Sequence, residues 1–549
     1  VALDGAGRNA LSENDKKYYD QWINQGFMQF VGVCKRFSKQ KYKEIKNLSL
    51  QEFLEAEQLD FVRTYGMIKM NLNASFKSIS KYDKPQPLPD AKAWAVSLDW
   101  TKRHFACMGK SVVLSESDVI KDMDKSTSCG YPWNLKYHNK NDMLDSGITV
   151  LSDYWESIAL PENEIIPIWT CSQKVELRPM SKLISNSVRT FTAAPFEHSC
   201  ATNRLCLDFN NRFYGVANKT WSFVGETKFS GGWDRLWKRL SFGNPDLLGK
   251  SKVRGKNAYS LDESEFDSSL FADAMFGQRD IRWSMLAPEY QTPENKRRLW
   301  AVYDSIVHSV IILETGELTR KTTGNPSGSV NTIVDNTMIL FRLMAYAYLK
   351  LSYEQGVLEP DYNEFMLNVE AALNGDDNLF TTSDELLLWF NPKSIGRVWS
   401  DIGVTTTAEC NEPTLVEKNT FLSNGFHYDR LLDCWLPVPE TEKVINSLMY
   451  ASGVDDVRWH LLRAFALRID CYGNVYLRDF LAKYIDFIRN KYRDKLVGTV
   501  KGLDMLDIYN VWKTDTWICA LYSGNETCVK TTVPSGTLWD SLVCAAEAA

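Results

Sequence analysis

Apolar positions recur at helical spacing in two stretches of the chain, with strand-like runs between them. From Glu440 to Arg493, Val444, Ile445, Leu448 and Met449, then Leu461, Leu462, Phe465 and Ala466, fall three to four residues apart, which predicts a helical C-terminal region. Residues 50–75 read as an amphipathic helix on the same ground. Between about 250 and 430, short apolar runs alternate with helix-like segments, so the middle of the chain is α+β. Alternate prolines in Lys84-Pro85-Gln86-Pro87-Leu88-Pro89 exclude helix and predict an extended linker.

Within the mixed region, two segments concentrate carboxylates. A strand-like run, Tyr259-Ser260-Leu261, enters Asp262, and the chain from Ser268 to Arg282 reads as helix. Further on, Leu373-Asn374-Gly375-Asp376-Asp377-Asn378-Leu379-Phe380 places a Gly-Asp-Asp turn between apolar residues, which predicts a tight hairpin. Phosphoryl transfer with two Mg²⁺ about 4 Å apart needs hard oxygen ligands from more than one segment. Mg²⁺ takes a few carboxylates and completes its shell with water and phosphate. Asp262 and Asp376, with Asp377 beside them, would supply that set. Alone the string is weak, since Gly-Asp-Asp arises by chance in about one chain in ten of this length.

A third segment, Gly324-Asn325-Pro326-Ser327-Gly328-Ser329-Val330-Asn331-Thr332, is a Gly/Ser loop leading into a long apolar helix from about Asn331 to Tyr348. Ser327 or Ser329 can cap that helix. Thr332 and Asn336 share one face of its first turns, with Asp335 nearby. Such polar groups need partners: a ribose 2′ hydroxyl would be one, plain capping the other. The fourth segment is basic. Lys174, Arg178 and Lys182, with Arg189, could line a path for a triphosphate, or form a solvated charged hairpin.

Composition narrows the class. At 549 residues several lobes are expected. The net charge of −6 argues against a protein that coats nucleic acid, but not against an enzyme that holds it in a channel. Twelve cysteines without a CxxC pair and six dispersed histidines fit reduced thiols and no zinc finger. The longest apolar run, Met338 to Leu349, is broken by Arg342, so no membrane span is predicted. A first residue of Val1 rather than Met fits release from a polyprotein.

In their order and spacing, the basic strip, Asp-x4-Asp, PSG-x3-T-x3-N and Gly-Asp-Asp segments resemble viral RNA-dependent RNA polymerases of the picornavirus-like supergroup, from about Ser126 to Phe487. Ser128, Gly130, Tyr131 and Pro132 lie in a stretch similar to that family's motif where the template enters. Phe421, Leu422 and Ser423 lie in one similar to its primer-grip hairpin. Leu207–Tyr214, Thr227–Asp234, Phe266–Leu270 and Val334–Thr337 resemble potyvirus-type replicases.

The resemblance implies a closed right hand. Fingers would take 1–227, the palm 228–430 with a fingers insertion at about 280–320, and a helical thumb and C-terminal region 431–549. It implies Asp262, Asp376 and Asp377 as ligands of two Mg²⁺, with Mn²⁺ as a substitute. Asp267, Ser327, Thr332 and Asn336 would read the ribose, and Lys174, Arg178, Lys182 and Arg189 the triphosphate. Partners would be RNA template, nascent RNA, NTPs and a small viral protein primer, in the host cytoplasm at membranes reached through partners. One departure is that Thr405 to Glu417 lacks the lysine many members use as general acid; Lys418 is the nearest. A reverse transcriptase and a non-catalytic RNA-binding scaffold are the alternatives.

Overall fold

The computed structural model describes residues 11–524, apart from 36–43, 164, 218, 248, 409 and 453. Val1 and residues 525–549 of the C-terminal region lie outside the described residues. At the centre runs the helix Thr332–Glu354, in which every residue from Val334 to Leu349 is buried. A helix buried on every face, and mostly apolar from Met338 on, is an interior one. It packs against the helices Ala91–Phe105 and Pro392–Ser400 and the strand Val369–Asn374. Arg342, which interrupts its apolar run, is buried as well. Its guanidinium lies 3.5 Å from the centre of the Trp94 ring and donates to the Trp94 carbonyl at 2.9 Å.

Over this helix lies a three-stranded antiparallel sheet in the order Val369–Asn374, Asp377–Ser383, Val253–Tyr259. The first two strands form the expected hairpin, closed at Asn374 opposite Asp377. A short ladder joins Leu261–Glu263 to Thr406–Ala408, with Asp262 opposite Thr407. A five-stranded sheet lies elsewhere, in the order Gln29–Val33, Glu317–Arg320, Val310–Ile312, Ile168–Gln173, Thr190–Ala193. The strands at 310–312 and 317–320 therefore pair with strands from the first two hundred residues, although they fall between the two carboxylate segments.

The C-terminal region is helical, as the periodicity predicts, with helices at Thr441–Met449, Val457–Asp470, Val475–Lys491, Met505–Val511 and Asp515–Ser523. Its core takes in residues from near the N-terminus. Leu50, Phe53 and Leu54 pack with Leu448, Leu461, Phe465, Leu481 and Tyr484, and the strand Glu44–Lys46 pairs with Tyr450–Ser452. Residues 44–54 and the C-terminal helices thus meet and close a ring.

The single amphipathic helix expected over 50–75 is corrected. The chain forms a helix Leu48–Ala56, a strand Tyr65–Met67 and a second helix Leu72–Ile79. Asn47 and Asn71 cap separate starts, and the strand is held by pairing with Leu177–Pro179. Tertiary pairing overrides the local periodicity here. The proline segment is extended as expected, with Leu88 93% exposed. Among the described residues no helix is long and apolar enough to cross a membrane.

Candidate active site

Alternation along the strand Leu261–Glu263 sends Asp262 outward and Glu263 inward. Asn378, two residues past Asp376, fixes this strand to the hairpin. Its Nδ2 donates to the Leu261 carbonyl at 3.0 Å and lies 3.0 and 3.2 Å from the two Glu263 oxygens, while its Oδ1 accepts from the Leu261 N–H at 3.1 Å. The hairpin tip is latched to the central helix. Gly375, at φ +67°, donates its N–H to Thr337 Oγ1 at 2.8 Å. Asp262 and Asp376 are thereby exposed at adjacent positions on one surface.

Charge accumulates there. Asp376 opens to water but is walled in by protein. This desolvation, with the charges of Asp267 and Asp262 and against the pull of Arg189, holds its carboxyl above the usual range. Glu263 is pushed well above its ordinary value by burial first and by Asp376, Asp262 and Asp377 beyond it. These carboxylates repel one another, which a cation would relieve. Among the described residues no three acidic, histidine or cysteine side chains form a ready-made cage. Asp262 and Asp376 still fit a divalent ion that takes a few carboxylates and fills its shell from water and phosphate.

Beside them, Asn336 donates through Nδ2 to Asp267 Oδ1 at 2.7 Å. Asn325 donates through Nδ2 to Asn336 Oδ1 at 2.9 Å and through its backbone N–H to the Asp267 carbonyl at 2.7 Å. A closed circle of three residues results, two links through side chains and the third through backbone. Asp335 is not part of it, contrary to the sequence reading. One position along a helix turns a side chain by about 100°, which sends Asp335 to the other wall. There Arg282 donates to it at 2.8 Å and the Tyr303 hydroxyl at 2.8 Å.

Neither Ser327 nor Ser329 caps the helix. Asn331 is the N-cap and gives no capping bond; its side chain accepts from Asn210 instead. Ser327 is half-buried, and the Thr332 hydroxyl sits 2.8 and 3.1 Å from the Ser329 and Pro326 carbonyls, tying the loop to the first turn.

The basic strip approaches through Gly328, whose N–H donates to the Thr192 carbonyl at 2.9 Å. A Cβ there would come 2.5 Å from that oxygen, so only glycine fits. Arg189 lies within the field of Asp376 and Asp267, and is held by both oxygens of Glu176. Lys174 and Arg178 converge on the same Glu176 at 3.6 and 3.8 Å. Lys182 is exposed on the short helix Met180–Ile184.

In the two remaining motifs the aromatic rings point inward. Tyr131 is buried with Cys34, Ile168, Val310, Ile312 and Leu318. Gly130, at φ +72°, is pressed against Pro195, and Ser128 stays exposed next to the half-buried Pro132. Phe421 is buried against Phe223 and Trp233. Leu422 and Ser423 turn the chain at φ +50° and +58°, and Ser423 accepts from Lys443 at 3.2 Å. Beside Asp262 the segment after the hairpin presents the hydroxyls of Thr406 and Thr407, while Lys418 is exposed in the turn Val416–Lys418.

Sequence reasoning missed Glu263, Asn378, Asn325 and Glu176. Period-two alternation through 376 and 378 was a usable signal for Asn378. Nothing local marks Asn325.

The family described as viral RNA-dependent RNA polymerase matches residues 46–488. The genome polyprotein of tobacco vein mottling virus is 32% identical over 366 residues, 65% of this chain and 11% of the polyprotein. That of plum pox potyvirus (isolate NAT) is 29% identical over 490 residues, 84% of this chain and 14% of the polyprotein. The chain therefore spans a small part of these relatives' length. The Sicinivirus 3Dpol RNA dependent RNA polymerase superposes with a TM-score of 0.65 at 17% identity, over 87% of this chain and 98% of that one, and so shares the right-hand fold. With the match covering most of its length, the chain belongs to the viral RNA-dependent RNA polymerase family.

Proposed function

We propose that this chain copies the RNA genome of a positive-strand virus by two-metal nucleotidyl transfer, from a small viral protein primer or a nucleic-acid one. Asp262 and Asp376, with Asp377 assisting, would hold two Mg²⁺ ions, or Mn²⁺ in their place. Bound there, the ions supply charge neutralisation at the attacking 3′ oxygen and at the departing pyrophosphate. The bond from the 3′ oxygen to the α-phosphorus forms as the bond from that phosphorus to the pyrophosphate oxygen breaks, and the hydroxyl proton passes to water.

Arg189, with Lys174, Arg178 and Lys182, holds the triphosphate oxygens, and Arg189 exchanges Glu176 for them. Asp267 and Asn336, steadied by Ser327 and Thr332 in the loop, read the 2′ hydroxyl as donor and acceptor. Template and primer pass by the backbone of Ser128–Pro132 and of Phe421–Ser423. The lobes divide as fingers 1–227, palm 228–430 and thumb 431–549. Work at host cytoplasmic membranes goes through partners.

The observation that carries this reading is the Asn336–Asp267 bond at 2.7 Å, set in the same field as Asp262 and Asp376. Primer extension on a homopolymeric RNA template with Mg²⁺ tests it, comparing wild type with Asp376→Asn. Synthesis by the wild type and its loss in the variant support the reading. Equal extension by the two overturns the metal assignment. Preference for dNTPs over NTPs in wild type would favour a reverse transcriptase instead.

A further inference from the structure

Lys321 is fully buried, and among the described residues its ammonium meets carbonyl oxygens rather than a carboxylate. Nζ lies 2.6 Å from the Ile306 carbonyl, 2.8 Å from Val307, 2.8 Å from Gly324 and 3.1 Å from Thr323. The first two belong to the last turn of the helix Pro293–Val307, where unpaired carbonyls carry the negative end of the helix. The other two belong to the loop that leads to Asn325. A buried ammonium is costly to desolvate. That burial pushes its pKa well below the ordinary value, and a methionine would fill the same space without the cost, so packing alone does not account for an amine meeting four carbonyls.

The loop it grips is over-determined from a second side. Tyr82, whose ring lies 5.4 Å from Nζ, donates its hydroxyl to the Asn325 carbonyl at 3.0 Å. Gly324 takes φ +81°, and a Cβ there would come 2.4 Å from the Tyr82 ring. Its N–H donates to the Leu270 carbonyl at 2.9 Å. Asn325 then gives its amide nitrogen to Asn336 Oδ1, which obliges Asn336 to offer Nδ2, not oxygen, to Asp267. The orientation of one amide is passed on to the next.

We propose that Lys321 is a positioning residue for ribose selection: it pins the Thr323 and Gly324 carbonyls to the end of the helix Pro293–Val307 and thereby sets Asn325, which orients Asn336 and Asp267. This rests on the reading that Asp267 and Asn336 face the ribose hydroxyl. Lys321 touches neither the substrate nor the carboxylates of the metal site. It acts through the loop.

The test measures kcat/KM for one NTP and for the matching dNTP on an RNA template and primer, with the full chain and Mg²⁺. The ratio of the two cancels the fraction of enzyme that is folded, so a merely structural defect leaves it unchanged. In Lys321→Met the ratio is expected to fall about tenfold, as for loss of one well-made hydrogen bond. In Tyr82→Phe, which removes one neutral bond to the same loop, it falls about threefold. Slower synthesis by Lys321→Met with an unchanged ratio overturns the proposal. Should that variant fail to fold, an unchanged ratio in Tyr82→Phe overturns it. Asn336→Ala separates the two claims. A drop there without one in Lys321→Met sinks the positioning role alone, whereas no drop there sinks the ribose reading.

Discussion

Asn378 places its Nδ2 within 3.2 Å of both carboxylate oxygens of Glu263, directly beneath the surface on which Asp262 and Asp376 are displayed. The same side chain also satisfies both backbone groups of Leu261. In Asn378→Ala the Leu261 N–H and carbonyl and the Glu263 carboxyl are left buried without this partner. Unpaired buried polar groups lower stability by about 1–3 kcal/mol each. A drop of about 3 kcal/mol or more in unfolding free energy is expected, with polymerisation falling more steeply than folded protein. Urea denaturation alongside active-site titration checks both. A variant as stable as wild type would mean that Glu263 is carried by other contacts.

Asp376 is the converse case, a residue whose charge opposes folding. Its carboxyl is held up by burial and by Asp267 and Asp262, so Asp376→Asn removes repulsion and is expected to be no less stable than wild type. Divalent binding should weaken all the same, because Mg²⁺ and Mn²⁺ favour charged oxygen donors. Mn²⁺ titration followed by electron paramagnetic resonance is expected to show affinity reduced about tenfold or more. Unchanged Mn²⁺ affinity would remove Asp376 from the metal site.

These two residues also mark how far the sequence could be read. The hairpin was legible because a Gly-Asp-Asp turn between apolar runs has one easy geometry, and Gly375 does take positive φ there. The helical C-terminal region and the interior helix were legible from their spacing. The inward rings of Tyr131 and Phe421 were not, since a motif names residues and leaves their facing to distant partners such as Cys34 and Trp233. Nor was the circle of Asp267, Asn336 and Asn325, whose members lie up to 69 residues apart and meet only once the loop is folded.

Glu197 gives the stability a measurable pH dependence. It stands in the first turn of the helix Phe196–Tyr214, accepts from Trp133 Nε1 at 2.7 Å, and is raised by burial from 4.5 to about 7 despite the helix N–H and that bond. The folded state therefore binds a proton that the unfolded chain releases at about pH 4.5. Its contribution is fully present below pH 4.5 and is lost as pH rises to about 7, by about 3 kcal/mol at most. Glu197→Gln keeps an acceptor for Trp133 and cannot ionise. Between pH 5 and pH 7.5 the wild-type Tm should fall relative to that of the variant. Parallel curves would show that Glu197 ionises as freely in the fold as in the unfolded chain.

Ring closure turns on Asn446, which is 1% exposed in the helix Thr441–Met449. Its Oδ1 accepts from the N–H groups of Thr64 and Tyr65 at 3.2 and 3.3 Å, and its Nδ2 donates to the Val62 carbonyl at 3.1 Å. Just beyond, the strand Tyr65–Met67 pairs with Leu177–Pro179, Gly66 opposite Arg178. One amide thus ties the C-terminal helices to the segment that steadies the basic strip. Asn446→Ala is expected to raise the KM for NTPs, shorten products at elevated salt, and speed amide exchange in residues 62–67 about tenfold or more, as local opening becomes easier. Hydrogen exchange is the deciding measurement because it reads the junction itself. Exchange at the wild-type rate would mean that the apolar contacts of Leu50, Phe53 and Leu54 keep the ring shut without the amide. A longer product or a lower KM would show that closure restrains the polymerase rather than serving it.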